Sequence, residues 1–243
     1  MNFRQWLLAV SLSAYLPMLL AEPADYVWLP QVVRGEHEID FKSGSAMQPD
    51  GSRFAAASIG WGYGVNDFWA TELYAKYEKQ GSDPWHYDAW EFENKFQLTD
   101  AGKYSIDFGL LTEIEAPRDR SQGYELKLAF LGQTDFGRWQ LNGNLFLARN
   151  VRAEVQETDL GYRWQVKYRW QQEFEYGLQG FGELGKWNAW VPRDERTHRA
   201  GPAVFGRFGL GGRQAIKYNA AWLVGLTPAA PDHTARLQVE YEF

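Results

Sequence analysis

Histidine is the side chain best suited to acid–base chemistry near neutral pH, and the chain carries 4 of them: His37, His86, His198 and His233. On an extended strand, a Ser two residues after a His would set nucleophile and base side by side on one face. The residues at that offset are Ile39, Asp88, Ala200 and Ala235, so no such pair exists. A His beside carboxylates can instead activate water. His86 with Asp88 and Asp83 is the one grouping of that kind; no second acidic pair stands at comparable spacing, and a solvated loop end is its simpler reading. The four histidines have no metal-ligand spacing, and with no Cys there is neither a thiolate site nor a disulfide. This inventory points to no catalytic set, no metal and no cofactor.

What remains is charge in rows. Glu36, Glu38, Asp40, Glu72, Glu91, Glu93, Asp107 and Glu113 fall in the first half of the chain, with Lys42, Lys76 and Lys95 among them. Lys127, Arg163, Lys167, Arg169, Arg207, Lys217 and Arg236 fall in the second. If the segments carrying them close on one another, an acidic wall faces a basic one. Such walls make a transverse field that orients a polar solute; equally, they can close across a small interior as a stabilising network. One further stretch, 186–199, places Trp187, Trp190 and Arg193 in a polar loop, where they could form a constriction or an outward ligand surface.

The elements that must position these charges have a period of two. Tyr162, Trp164, Val166, Tyr168 and Trp170 alternate with Arg163, Gln165, Lys167 and Arg169, and the last segment alternates Leu237, Val239, Tyr241 and Phe243 with Gln238, Glu240 and Glu242. No amphipathic helix has that period. The pattern predicts about twelve strands, near 33–44, 53–63, 67–79, 85–98, 103–115, 122–132, 137–149, 159–170, 174–185, 200–210, 214–226 and 234–243, joined alternately by short turns and longer polar loops. The apolar face ends in aromatics, as at Trp69 and Tyr77, Trp90 and Phe96, or Tyr162 and Trp170. With 16% aromatic residues and 12 Trp, that face suits two lipid–water interfaces better than a soluble core, where every indole N–H would need a partner. The fold class expected is therefore all-β: one closed antiparallel transmembrane barrel.

Residues 1–21 have one basic residue, Arg4, then a mostly apolar run to Leu20, which is the layout of a secretory signal peptide cut after Ala21. Residues 22–243 are expected to form the barrel domain, with no plug domain ahead of it. Beyond Ala21 no stretch approaches the roughly 18 apolar residues of a spanning helix. The net charge of -6 and pI near 5.3 argue against nucleic acid as a partner.

The ending Leu237-Gln-Val-Glu-Tyr-Glu-Phe243 resembles the terminal signature of Gram-negative outer-membrane β-barrel proteins. The resemblance implies export to the cell outer membrane, with its lipid and lipopolysaccharide as surroundings and the barrel-assembly machinery as the partner that reads Tyr241 and Phe243. It also implies short periplasmic turns and longer outer loops. Arg163, Lys167 and Arg169 are similar to the basic tracks of small porins that pass acidic sugars. Three functions stay open: a small channel for passive movement of a polar or charged solute, a non-conducting structural or docking barrel of the envelope, and an outer-membrane hydrolase acting on lipid or peptide.

Overall fold

A computed structural model describes residues 22–243; the expected signal peptide, 1–21, lies outside the described residues. Twelve strands run in chain order: β1 (His37–Met47), β2 (Arg53–Gly64), β3 (Trp69–Gln80), β4 (His86–Gln97), β5 (Asp107–Pro117), β6 (Tyr124–Phe136), β7 (Trp139–Val151), β8 (Thr158–Gln171), β9 (Phe174–Lys186), β10 (Thr197–Gly211), β11 (Gln214–Gly225) and β12 (His233–Glu242). Each pairs antiparallel with its neighbour, and β12 closes on β1 through the register Glu38↔Glu242 to Met47↔His233. Closure leaves no unpaired strand edge, the only way a sheet can sit in hydrocarbon. The last residue joins the seam: His37 N–H donates to Phe243 O at 3.1 Å and Phe243 N–H to His37 O at 2.9 Å.

The two faces of this sheet are inverted relative to a soluble protein. Outward-facing Ile59 and Phe130 are 52% and 58% exposed, while inward-facing Glu93 and Glu113 are 1% and 3% exposed. Apolar side chains outside and charged ones inside fit a wall immersed in lipid. Aromatic pairs gather at both ends of the wall. Trp69 stacks on Phe96, Trp139 meets Tyr168 edge-on, and Phe208 stacks on Tyr218 at the end carrying the shorter turns. Tyr77, Tyr87 and Trp90 do the same at the other end. By the barrel rule the short-turn end is periplasmic, or inner, and the other is outer. In the outer loop after β5, the Asp119 carboxylate accepts bonds from the backbone and hydroxyl of Ser121, which hold its pKa below the usual value.

Two expectations about the chain path need correction. The first strand begins at His37, not near residue 33, and β5 begins at Asp107, not at 103. The inner turn before β5 spans 98–106 and is tied by Phe108 N–H to Thr99 Oγ1 (2.8 Å) and Gly102 N–H to the Asp107 carboxylate (3.0 Å). More consequentially, the residues ahead of β1 run inside the barrel. The chain from Glu22 to Val33 lies within the lumen, where Pro23 and Pro30 are fully buried. Gly44 faces Pro23 O, Gly109 faces Pro30, and Gly64 faces Val33 O so closely that a Cβ at any of the three would collide. The segment therefore descends from Glu22 in the outer half to Val33 at the inner mouth.

Candidate functional site in the lumen

The luminal segment reads Glu-Pro-Ala-Asp-Tyr-Val-Trp-Leu-Pro-Gln-Val-Val over 22–33. Its two prolines each lack an N–H and fix φ, which disfavours a place in the sheet. Buried backbone groups must still be paired, and side chains of the wall pair them. Asn144 on β7 meets Trp28 like a neighbouring strand, accepting from its N–H at 2.9 Å and donating to its carbonyl at 3.0 Å. Gln97 on β4 accepts from Val32 N–H at 2.8 Å, Arg163 on β8 donates to Tyr26 O at 3.0 Å, and Arg199 on β10 donates to Glu22 O at 2.6 Å.

Side chains of the segment fill the lumen in opposite directions. Val27 packs with Phe181, Ala203, Phe205, Ala221 and Leu223 on β9 to β11. Trp28 packs with Leu111, Ala129, Leu131, Phe146 and Ala148 on β5 to β7. Burying a side chain such as Val27 contributes about 1.5–3 kcal/mol. Tyr26 donates to the Glu93 carboxylate at 2.9–3.0 Å, and Lys42 Nζ sits 3.5 Å from the Tyr26 ring and 3.6 Å from the Tyr74 ring, a cation held between two π faces. Asp25 bridges Arg163 (2.7 Å) and Arg199 (3.0 Å), and Glu22 pairs with Lys76 at 2.8 Å. Alongside Trp28 runs a belt of amides on β6 to β9. Asn142 donates to Gln133 at 2.8 Å, Gln165 to Asn142 at 3.0 Å and Gln179 to Gln165 at 3.0 Å, and Arg236 on β12 donates to Gln179 at 2.5 Å.

The segment divides the interior into two cavities. The outer one, of about 160 Å³, is lined by Glu78, Asp88, Glu91, Glu113, Glu115, Glu125 and Glu183 together with Lys42, Lys76, Lys127 and Arg163. The inner one, of about 550 Å³, is lined on one side by Glu36, Glu38, Asp40, Glu72 and Lys95 and on the other by Lys167, Arg169, Arg207 and Lys217 together with Glu175 and Glu240.

Against the sequence reading, the charged rows face inward, but most are neutralised along the wall instead of across it. Lys127 pairs with Glu113 (2.5 Å) and Glu125 (3.1 Å), Lys76 with Glu91 (3.3 Å) and Glu115 (2.5 Å), and Lys95 with Glu72 (3.4 Å). Lys167 pairs with Glu175 (2.7 Å), Arg169 with Asp135 (3.1 Å) and Arg207 with Glu242 (3.2 Å), while Lys217 contacts both Glu240 and Glu242. Among the described residues, rows mainly of opposite sign oppose each other around the inner cavity. Asp107 belongs to the turn it caps, outside both cavity linings. Trp187, Trp190 and Arg193 are exposed on the outer loop and line neither cavity; the constriction is the 22–33 segment. Tyr241 and Phe243 stack at the inner end, ring centroids 5.4 Å apart. Asp25, Tyr26, Trp28, Glu183 and Arg199 belong to this site and were not singled out. The available signal was a proline-bracketed Tyr-Val-Trp run without strand alternation, together with inward positions holding Phe and Leu.

As for chemistry, exposed His86 is bonded to Glu78 at 3.2 Å, with Asp88 on the cavity rim. Glu91, Glu113 and Glu115 bring carboxylate oxygens within 4.8 Å of one another, a spacing that suits an oxygen-ligated cation, but the ammonium groups of Lys76 and Lys127 already lie against them.

No family model matches the sequence, and no curated protein matches it. Solved structures do. The COG4313 outer membrane channel from Pseudomonas putida F1 superposes with a TM-score of 0.58 at 12% identity, over 91% of this chain and 98% of that one. The KdgM porin gives 0.55 at 6% identity, and the NanC porin 0.53 at 10%, each over 85% of this chain and 98% of the other. At such identities the likeness is one of fold, and it agrees with the lipid-facing exterior: the chain has the fold of the Gram-negative outer-membrane β-barrel proteins.

Proposed function

We propose that this protein is a small outer-membrane channel for a polar or charged solute, closed at mid-lumen by its own residues 22–33 and opened when that segment moves. The observation that carries the reading is the pair of charged cavities, of about 160 and 550 Å³, separated by a segment that belongs to no strand. Part of what anchors the segment is polar: amides and guanidiniums that water or a passing solute can replace. The likeness in fold to structures titled as porins and channels supports the same reading.

A non-conducting barrel is the second reading, favoured by the apolar packing around Val27 and Trp28, which makes the mid-lumen resemble a protein core. Planar-bilayer recording separates the two. The refolded protein is expected to open briefly and seldom, and a variant lacking residues 22–33 to conduct steadily. A deletion variant that is folded, shown by heat-modifiable gel mobility, yet shows no discrete openings at high salt would sink the channel reading.

A further inference from the structure

Where the segment crosses mid-lumen, one carboxylate bridges two guanidiniums and a third stands beside them. Arg163, Arg199 and Arg236 are 6%, 2% and 4% exposed, and they come from β8, β10 and β12. Asp25 bonds Arg163 Nη2 at 2.7 Å through one oxygen and Arg199 Nη2 at 3.0 Å through the other. Arg199 and Arg236 both lie over the Phe181 ring, 5.2 and 5.5 Å from its centroid, and Arg163 lies 3.8 Å over Trp28. Arg236 donates through Nη1 to Gln179 and Asn219, but its Nε and Nη2, both buried, have no partner among the described residues. Glu183 lies on the Arg199 side of the group, and Glu113 and Glu93 act on Arg163.

This cluster differs from most charge pairs of the lumen; Glu22 also reaches the wall at Lys76, but Lys76 keeps Glu91 and Glu115 of the wall as partners. Lys127 with Glu113, Lys167 with Glu175 and Lys217 with Glu240 draw both partners from the wall. Here the bridging carboxylate is supplied by a segment outside the sheet. Buried guanidiniums without a counter-charge are costly, so a wall from which Asp25 has departed demands another anion in its place. Planar guanidinium forks match the two oxygens of a carboxylate, and the unpaired Nε and Nη2 of Arg236 offer donors that Asp25 does not use.

We propose that Arg163, Arg199 and Arg236 form a binding site for a carboxylate-bearing solute, and that Asp25 is its built-in occupant, exchanged for the solute when the segment moves. The assignment of a carboxylate as the solute group rests on the channel reading; the existence of the site does not, and its test needs no conduction.

The full-length mature protein with Asp25→Asn, in detergent, is heated in sodium acetate or in sodium chloride of equal ionic strength, and the loss of heat-modifiable mobility is followed. Acetate is expected to raise the unfolding temperature of Asp25→Asn by several degrees beyond chloride, saturably, and to raise that of the unaltered protein far less. Adding Arg236→Gln or Arg199→Gln is expected to abolish the acetate shift. Equal shifts in acetate and chloride, or a shift that survives the arginine changes, would overturn the site. If Asp25→Asn refolds poorly in chloride, acetate is expected to restore its yield and acetamide is not; no recovery in acetate overturns the proposal as well. A loss of channel activity with an intact acetate shift would break the channel reading and leave the site standing.

Discussion

The two cavities either side of the segment are built from the same twelve strands, yet they differ in size and in charge. Around the outer cavity stand ten carboxylates, two of them from the segment itself, against four cations. Around the inner one stand six carboxylates against five cations: Glu36, Glu38, Asp40 and Glu72 share one wall with Lys95, while Lys167, Arg169, Arg207 and Lys217 stand opposite among Glu175 and Glu240. The outer cavity therefore concentrates cations, while the inner one has little net charge but a field across it. A lumen of uniform character would leave selectivity to width. In this barrel the charge step falls at the segment, so on the proposed channel reading the same dozen residues are both the barrier and the boundary between two electrostatic environments.

The largest test of that division removes the packing that holds the segment. Trp28→Ala deletes the knob seated among Leu111, Leu131 and Phe146; truncating a buried aromatic costs about 3–5 kcal/mol. Because Trp28 lies outside the wall, the cost falls on docking of the segment and the barrel itself survives. At about 1.4 kcal/mol per tenfold, the open fraction in bilayer recordings is expected to rise at least a hundredfold. An unchanged open fraction would mean that the segment is not the barrier. Gly44→Ala is a smaller and cleaner probe, since its Cβ would meet the backbone carbonyl of Pro23 and no charge is altered. Overpacking of that kind costs roughly 1–3 kcal/mol, and about a fivefold to hundredfold rise in open fraction is expected. Gly143→Ala, whose Cβ would meet nothing within 4 Å, is its control.

How much of this was legible beforehand follows from what each feature depends on. Strands such as β8 and β12 could be read to within a residue or so at most ends, because period two with aromatic ends is a local pattern imposed by lipid outside and polar groups inside. The inward direction of Glu93, Glu113, Arg163 and Arg236 followed from the same parity. The pairing did not. Whether Lys127 meets Glu113 on the adjacent strand or an acid across the lumen is set by register, which alternation leaves free by steps of two. The segment was missed for a related reason: residues 22–33 have no period, and their fold is written in the wall they touch. The traces in the sequence are the misfits, apolar Leu111, Leu131, Phe146, Phe181 and Phe205 at inward positions, and small residues such as Gly44 and Gly109 where the lumen needed room.

Charge changes in the two cavities are expected to act in opposite senses once the barrier is gone. In the variant lacking 22–33, Glu78→Gln with Asp88→Asn at the outer cavity should lower the cation-to-anion permeability ratio a few-fold. Lys167→Gln with Lys217→Gln at the inner wall should raise it by a similar factor. Reversal potentials in a KCl gradient measure both, and shifts of the same sign would contradict the division into two environments.

The smallest effect concerns how the segment is tied at its inner end. Arg34 reaches Asp67 at 3.8 Å, with the two side chains 70% and 81% exposed. A pair so exposed contributes about 0–1 kcal/mol and is screened by salt. The carbonyl of Arg34 accepts from Arg213 at 3.0 Å, and that bond does not depend on the Arg34 side chain. Arg34→Ala is therefore expected to change the open fraction less than about fivefold, and less still at high salt. A change as large as that of Trp28→Ala would relocate the latch from the buried mid-lumen to the exposed inner mouth. The comparison between the cavities would then have to be redrawn around a hinge at residue 34.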